Sequence, residues 1–301
     1  MGLSLPPIAF GTGSFRGLYR EVPDDEAIEA LHVALERGVT LIDTAPWYGA
    51  FQAEDIVGKA LRGRSDFLIS TKACLWSVNG EAVRGYHRDE VLWSFEGSLK
   101  RLGMAKVDVL HIHDPIEEAY ALILDETYPT LAELKAQGLI GAISIGTGTL
   151  AAAQRYAAAL PLDYVMLAGR YTLLDQSALP LLDELHTRGI PVWSAGIYST
   201  GILATGSTSS AKYNYSTAPP QVVEQVRQLE HVCARHQVPL KAAAAQFVRQ
   251  HPAIHTLVLG IESVVQLIDT LSTFDVSIPA EFWHDLKALN LIDPASPTPE
   301  T

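Results

Sequence analysis

One rhythm constrains this chain more than any other feature: a short apolar run, then a stretch whose apolar residues fall three and four apart, repeated along its length. Apolar runs of strand length stand at 8–11, 40–42, 67–71, 107–112, 140–145, 163–168, 190–195 and 256–259. Helical spacing first appears in Ile28, Leu31 and Leu35, after the N-cap candidates Asp24 and Asp25, with Arg37 in the last turn and Gly38 as the stop. The same spacing marks 52–61, 88–102, 127–137, 149–159, 175–188, 220–236, 240–250 and 262–272. Strand–helix units repeated eight times close into a (β/α)8 barrel, the TIM barrel of the α/β class. The competing doubly wound sheet would carry G-x-G-x-x-G between a strand and a helix. Gly11-Thr-Gly13 is the nearest start, and it runs on into Ser14-Phe-Arg-Gly17 with no helical pattern until Asp24. The expected organisation is a single barrel domain over 1–301, with active-site loops near 73–87 and 199–220 and a tail rich in Pro, Asp and Ser.

Length and composition agree with that reading. Barrels of this kind take about 250 residues as one unit, and 301 residues that are 48% hydrophobic, with a mean hydropathy of +0.13, suffice for a well-buried core. The net charge is −12 and no cluster of five Lys or Arg is present, so a nucleic-acid partner is not expected. With only Cys74 and Cys233, the chain is expected to be a reduced cytoplasmic protein without a disulfide frame. No signal-like N-terminus and no 18-residue apolar run occurs, so no membrane segment is expected. Met1-Gly2 has the form of a myristoylation start, but Pro6 stands where Ser or Thr is needed.

The chemistry gathers at strand ends. In Val39-Thr-Leu-Ile-Asp-Thr-Ala-Pro-Trp-Tyr-Gly49 a buried strand ends in Asp43, and Tyr48 follows a tight turn. Two more apolar runs end in Lys72 and His113. Active sites of (β/α)8 barrels sit at the C-terminal strand ends, so the four residues are expected in one pocket. A phenol with a pKa near 10 is a poor base at neutral pH, but a nearby ammonium favours phenolate. Lys72 is read as that ammonium, Asp43 as the group that keeps Lys72 charged, His113 as a hydrogen-bond partner of the substrate oxygen, and Tyr48 as the acid–base group. Each has a plainer reading alone: a turn cap, a packed loop aromatic, a solvated strand-end charge, a core histidine like its neighbour His111. Their joint occurrence at successive strand ends favours the catalytic reading. His111, His113 and Asp114 are too closely spaced for a metal site and no further ligand cluster follows, so no metal is expected.

At these residues the chain resembles the aldo-keto reductases. The resemblance rests on Gly38 through Gly49, Glu54-Asp-Ile-Val-Gly58, Ser70-Thr-Lys72, and Val107-Asp108 through His113-Asp-Pro115, and runs over roughly 7–298. It implies a barrel-shaped NAD(P)-dependent oxidoreductase in which Asp43, Tyr48, Lys72 and His113 are catalytic. Leu167 to Gln176, Tyr213-Asn-Tyr215 before Ala218-Pro-Pro220, and Val232 to His236 are similar to the branch that oxidises free sugars such as L-fucose, D-arabinose or L-galactose at C1, with pyridoxal 4-dehydrogenase close by. The resemblance places the nicotinamide contacts at Gly146, Thr147, Ala168, Ala195 and Gly196, where the broader family carries Ser-Asn, Gln and an aromatic. Trp47, Trp76, Arg170, Tyr171 and Asn214 are the candidates for lining the substrate space, with Arg170 and Tyr171 facing either cofactor or substrate.

The adenosine end of the cofactor is implied near the last strand and its helix, at Gly260, Glu262, Gln266 and Asp269. Between Arg249 and Lys287 the chain has no Lys or Arg, and a 2′-phosphate needs cationic partners. NAD is therefore expected over NADP. The leading expectation is oxidation of an aldose to its lactone by hydride transfer to NAD. The alternatives are pyridoxal oxidation, general carbonyl reduction, or a catalytically silent nucleotide-binding interaction subunit. A small molecule, sugar or aldehyde, is the expected partner. The sequence carries no signal for oligomeric state.

Overall fold

Parallel pairing follows from the strand–helix alternation, because each helix returns the chain to the same end of the next strand. Strands β1 (Ile8–Gly11), β2 (Leu41–Asp43) and β3 (Leu68–Ala73) pair in parallel, with Gly11 opposite Asp43 and Asp43 opposite Ser70. The hairpin β4 (Leu75–Val78) and β5 (Glu81–Arg84) comes next, then β6 (Val107–His113), β7 (Ile140–Thr147), β8 (Tyr164–Ala168) and β9 (Val192–Ala195). After a small hairpin of β10 (Lys212–Tyr213) and β11 (Ser216–Thr217), β12 (Ile254–Gly260) completes the set. The order β1-β12-β9-β8-β7-β6-β3-β2 closes into a barrel, as the alternation predicts. The structure, a computed structural model, describes residues 5–15 and 21–299. Met1-Gly2, and the Arg16-Gly17 end of the Gly11–Gly17 stretch, lie outside the described residues.

The helices are α1 (Asp24–Glu36), α2 (Gln52–Ala60), α3 (Arg88–Leu102), α4 (Tyr120–Leu122), α5 (Tyr128–Ala136), α6 (Leu150–Ala159), α7 (Leu179–Thr187), α8 (Ile202–Thr205), α9 (Pro220–His236), α10 (Leu240–Arg249), α11 (Val264–Ser272) and α12 (Ala280–Ala288). The chain divides into two compact units, residues up to Met166 with Val258–Leu267, and Leu167–Leu257 with the residues from Ile268 onward. In the first unit, Phe10, Leu31, Leu41, Ile42 and Phe95 are fully buried. Helices α2 and α3 approach closely at Gly58, where a Cβ would sit 2.2 Å from the Arg101 carbonyl oxygen. Bulk at Gly58 would force those helices apart. The second unit packs an aromatic group: Tyr171 stacks on Phe247 at 5.0 Å, and Phe247 lies 6.3 Å from Trp283 of α12.

Four local expectations change. The N-cap of α1 is Pro23, not Asp24 or Asp25, which lie in the first turn where carboxylates complement the helix dipole. The loop at 73–87 is not irregular throughout: Asn79 and Gly80, both at positive φ, turn the β4–β5 hairpin. The helix expected from 127 is approached by continuous helical turns from Glu117. The tail contains α12, whose Phe282, Trp283 and Leu286 are buried. Pro279 leads α12 as an extended N-cap, so the prolines of that stretch mark a helix start as well as loop.

Candidate active site

Alternation along β3 explains the site. Ser70 and Lys72 turn to one face of the strand, and Thr71 between them turns to the other, where its hydroxyl donates to Glu54 Oε1 at 2.6 Å. Lys72 and Asp43 form an ion pair at 2.7 Å with side chains only 1% and 3% exposed. Lys72 Nζ also donates to the Thr44 carbonyl at 2.9 Å, and it lies 4.8 Å from the centre of the Tyr48 ring. The second carboxylate oxygen of Asp43 accepts from Ser70 Oγ at 2.6 Å. His113, at the end of β6, meets the Tyr48 ring edge-on at 5.9 Å. Strand ends thus bring Asp43, Tyr48, Lys72 and His113 together within the first unit.

The electrostatics give each group a charge state. Burial alone would pull the Lys72 ammonium down, but Asp43 and then Tyr48 outweigh it and leave it raised, so Lys72 stays charged. Burial pushes the Tyr48 phenol up to about 12, with Lys72 working against the rise and Asp43 with it. The expectation that Lys72 would hold the phenol down is therefore met in sign only: burial prevails and Tyr48 is a neutral phenol at pH 7. Burial, then Lys72 and Arg84, hold the His113 imidazole well below its usual value, so it is neutral too. His113 Nδ1 is buried without a hydrogen-bond partner among the described residues. His111, register partner of Lys72, is fully buried and is likewise held low by burial, Lys72 and His113. Among the described residues no group of three His, Cys, Asp or Glu is placed to hold a metal ion.

Small residues leave room at several strand ends. A Cβ on Gly146 would lie in ordinary contact with Met166 Sδ (3.6 Å), His111 Cβ (3.8 Å) and Lys72 Cε (3.9 Å). Thr147 beside it is buried. Gly260 is exposed, and a Cβ there would meet nothing nearer than Ser14 Oγ at 3.9 Å. Glu262 is buried, and its backbone N–H donates to Gln266 Oε1 at 2.6 Å, while the Gln266 N–H donates to Ser263 Oγ at 3.2 Å. Gln266 thus caps the start of its own helix. Gly260 leaves accessible backbone beside that helix start, where the N–H groups of Glu262 and Gln266 are already taken up by Gln266 and Ser263.

In the second unit, Ala168 and Gly196 are exposed and Ala195 half-buried at the ends of β8 and β9. Arg170 approaches Asp175 at 3.4 Å. Tyr171 is buried in the aromatic group. Asn214, exposed and at positive φ, turns the β10–β11 hairpin. Asp269 pairs with Lys241 Nζ at 2.5 Å, and Lys241 also donates to Thr270 Oγ1 at 2.8 Å. A cation therefore does reach α11 from a helix distant in sequence, which a count restricted to 250–286 misses. Among the remaining candidates, Trp47 is half-buried, and Trp76 is buried with its ring 5.0 Å from Trp93.

Sequence reasoning missed Ser70, Gly13 and Arg84. A Cβ on Gly13 would lie 3.5 Å from Tyr48 Cζ, so this glycine covers the phenol ring. Arg84 lowers the His113 imidazole from the β4–β5 hairpin, whose turn signal at Asn79-Gly80 was available to find it. Ser70 stands two residues before Lys72 and so shares its face, a spacing readable in the sequence.

The family model for the aldo/keto reductase family matches residues 7–291. D-threo-aldose 1-dehydrogenase of Pseudomonas sp is 32% identical, with 99% of this chain and 97% of that protein covered. Pyridoxal 4-dehydrogenase of Microbacterium luteolum is 31% identical over 97% of this chain and 96% of its own. The solved holo form of an aldo-keto reductase from Bacillus halodurans shares the fold, with a TM-score of 0.79 at 20% identity over 96% of this chain and 95% of that one. The barrel, the matched model and the near full-length relatives agree: this chain is an oxidoreductase of the aldo/keto reductase family.

Proposed function

We propose that the protein oxidises an aldose at C1, passing hydride to NAD and giving the lactone. The observation that carries this reading is the buried Lys72–Asp43 pair beside the neutral Tyr48 phenol, in a chain 32% identical to D-threo-aldose 1-dehydrogenase. A bound nicotinamide nucleotide supplies the hydride acceptor. In the first unit, Gly146, Thr147, Gly260, Glu262 and Gln266 are the residues we assign to hold it. In the first unit Trp47 and Trp76 remain substrate assignments, and the half-buried Trp47 offers aromatic surface that suits the apolar side of a sugar.

The residues of the chain handle the proton. In oxidation Tyr48 first loses its own proton to solvent, an ionisation favoured by the Lys72 ammonium and opposed by burial, and the phenolate then takes the proton of the anomeric hydroxyl. In reduction the neutral phenol gives the proton to the carbonyl oxygen without prior ionisation. Neutral His113 offers a hydrogen bond to the same oxygen. Lys72 is held at Asp43 and Thr44 and needs no reorganisation as charge develops.

The preference for NAD rests on Glu262, a carboxylate that would repel a 2′-phosphate, while the cation that Lys241 brings to α11 is already paired with Asp269. The two buried free cysteines, Cys74 and Cys233, support a cytoplasmic, reduced protein. The test is NADH formation from NAD with a panel of aldoses, including L-fucose, D-arabinose and L-galactose, and with pyridoxal. Turnover of an aldose supports the reading. Turnover of pyridoxal alone moves the assignment to the second relative's chemistry.

A further inference from the structure

The reading that Tyr48 is the acid–base group leaves one buried contact unexplained. Asp43 has two carboxylate oxygens inside a nearly dry site. Lys72 Nζ takes Oδ2 at 2.7 Å, and Ser70 Oγ takes Oδ1 at 2.6 Å. His111 Nε2 lies 3.9 Å from Oδ1, beyond hydrogen-bond reach. The contact is imposed by the fold, because the β2–β3 register sets Ser70 directly opposite Asp43. Ser70 is itself fully buried, so no water competes for its hydroxyl. We propose that Ser70 is a positioning residue for catalysis: its hydroxyl pins the Asp43 carboxylate in the orientation that holds the Lys72 ammonium beside Tyr48.

What the Ser70 hydroxyl removes is freedom of rotation. A carboxylate bonded through one oxygen can turn about its Cβ–Cγ bond, and its partner ammonium follows it. Bonded through both oxygens in different directions, it cannot turn without breaking one bond. Lys72 reaches Asp43 on a long flexible stem, so its position is set by the two acceptors it meets, Asp43 Oδ2 and the Thr44 carbonyl. Fixing the first acceptor fixes the distance from the ammonium to the Tyr48 ring, 4.8 Å here. The charged and titratable groups facing the phenol are Lys72 from β3, Asp43 from β2, and His113 and Asp114 at the end of β6. His113 is held neutral. Lys72 is the one cation among these groups, so its placement governs how far burial and the two carboxylates prevail.

The test compares Ser70→Ala and Ser70→Thr with wild type in the holoenzyme, using the aldose turned over fastest. Removing the hydroxyl takes a hydrogen bond from a buried charged group, which is expected to cost about one pH unit in the rising limb of oxidation kcat and on the order of tenfold in rate at neutral pH. Ser70→Thr keeps a hydroxyl and is expected to return the profile to that of wild type. A Ser70→Ala profile that overlays wild type, whatever its Tm, overturns the proposal and leaves Ser70 a packing residue. If wild type turns over no aldose, the functional reading fails, and the proposal is judged on the crystal structure of Ser70→Ala. A turned carboxylate with the Lys72 Nζ–Asp43 Oδ2 contact lengthened supports it. An unchanged Lys72–Asp43–Thr44 arrangement overturns it.

Discussion

Strand β3 meets an ion pair on each face, and the two differ in what they leave over. On the helix side, Glu54 is saturated: Thr71 Oγ1 donates to one oxygen at 2.6 Å and Arg101 Nε to the other at 2.7 Å. Arg101 goes on to Ser98 Oγ at 3.3 Å and lies over the Phe51 ring at 4.5 Å, so its guanidinium is spent on neighbours in the fold. On the barrel side, Asp43 is equally saturated by Ser70 and Lys72, but Lys72 faces the Tyr48 ring. One pair ties α2, α3 and β3 together. The other holds a cation ready beside a phenol. Buried charge by itself therefore does not mark chemistry, and what the charge faces once its partner is satisfied decides the role.

Breaking the comparison at its reactive end gives the largest effect. Tyr48→Phe removes only the phenol oxygen, so kcat is expected to fall by about 10² or more with cofactor binding and Tm kept. Stopped activity with unchanged fluorescence quenching by the cofactor would be the supporting pattern, and a near wild-type kcat would sink the assignment. At the structural end, Arg101→Met leaves the Glu54 carboxylate buried without its cation. Stability is expected to drop by about 3–5 kcal/mol, read by urea denaturation, while kcat per folded molecule holds. Loss of kcat with full stability would reverse the two roles.

Smaller effects sharpen it. With Tyr48 raised to about 12 and His113 held low, neither group titrates near neutrality in the free enzyme. The pH dependence of kcat/KM for carbonyl reduction, which needs the neutral phenol, is expected to stay flat from about pH 6 to 9, and that for oxidation to rise. A bell centred near neutral pH in reduction would place another acid in the site. The smallest change is expected from Glu262→Arg, which exchanges an anion for a cation in the region assigned to the adenosine ribose. The ratio of kcat/KM for NAD to that for NADP is expected to fall by about tenfold. A wild-type preference for NADP would refute the charge argument.

The barrel and the four site residues were legible because both rest on local pattern. The strands are written as short apolar runs, the helices as apolar residues three and four apart, and the strand ends in the residue at which a run stops, as at Asp43, Lys72 and His113. What stayed hidden depends on pairing across the chain. Lys241 meets Asp269 from 28 residues away, and no window of sequence around α11 contains it. The net ionisation of Tyr48 could not be read either, because Lys72 and burial push it in opposite directions and only burial in the fold shows which prevails. Helix α12 was masked by the prolines that flank it, although Phe282, Trp283 and Leu286 follow helical spacing. The β4–β5 hairpin had its Asn79-Gly80 signal in plain view and needed only the weight that positive φ gives to such a pair.

The central claim is that Lys72 exists to bias the ionisation of Tyr48, unlike the cation on the other face of β3. Its most direct test is the pH dependence of kcat for oxidation in Lys72→Met, beside wild type and Arg101→Met. Removing the ammonium also leaves Asp43 unpaired, and both changes disfavour phenolate. The rising limb of Lys72→Met is expected to move to higher pH by at least about one unit, with kcat at neutral pH lowered accordingly, while Arg101→Met keeps the wild-type profile. A Lys72→Met profile that overlays wild type at equal rate would contradict it.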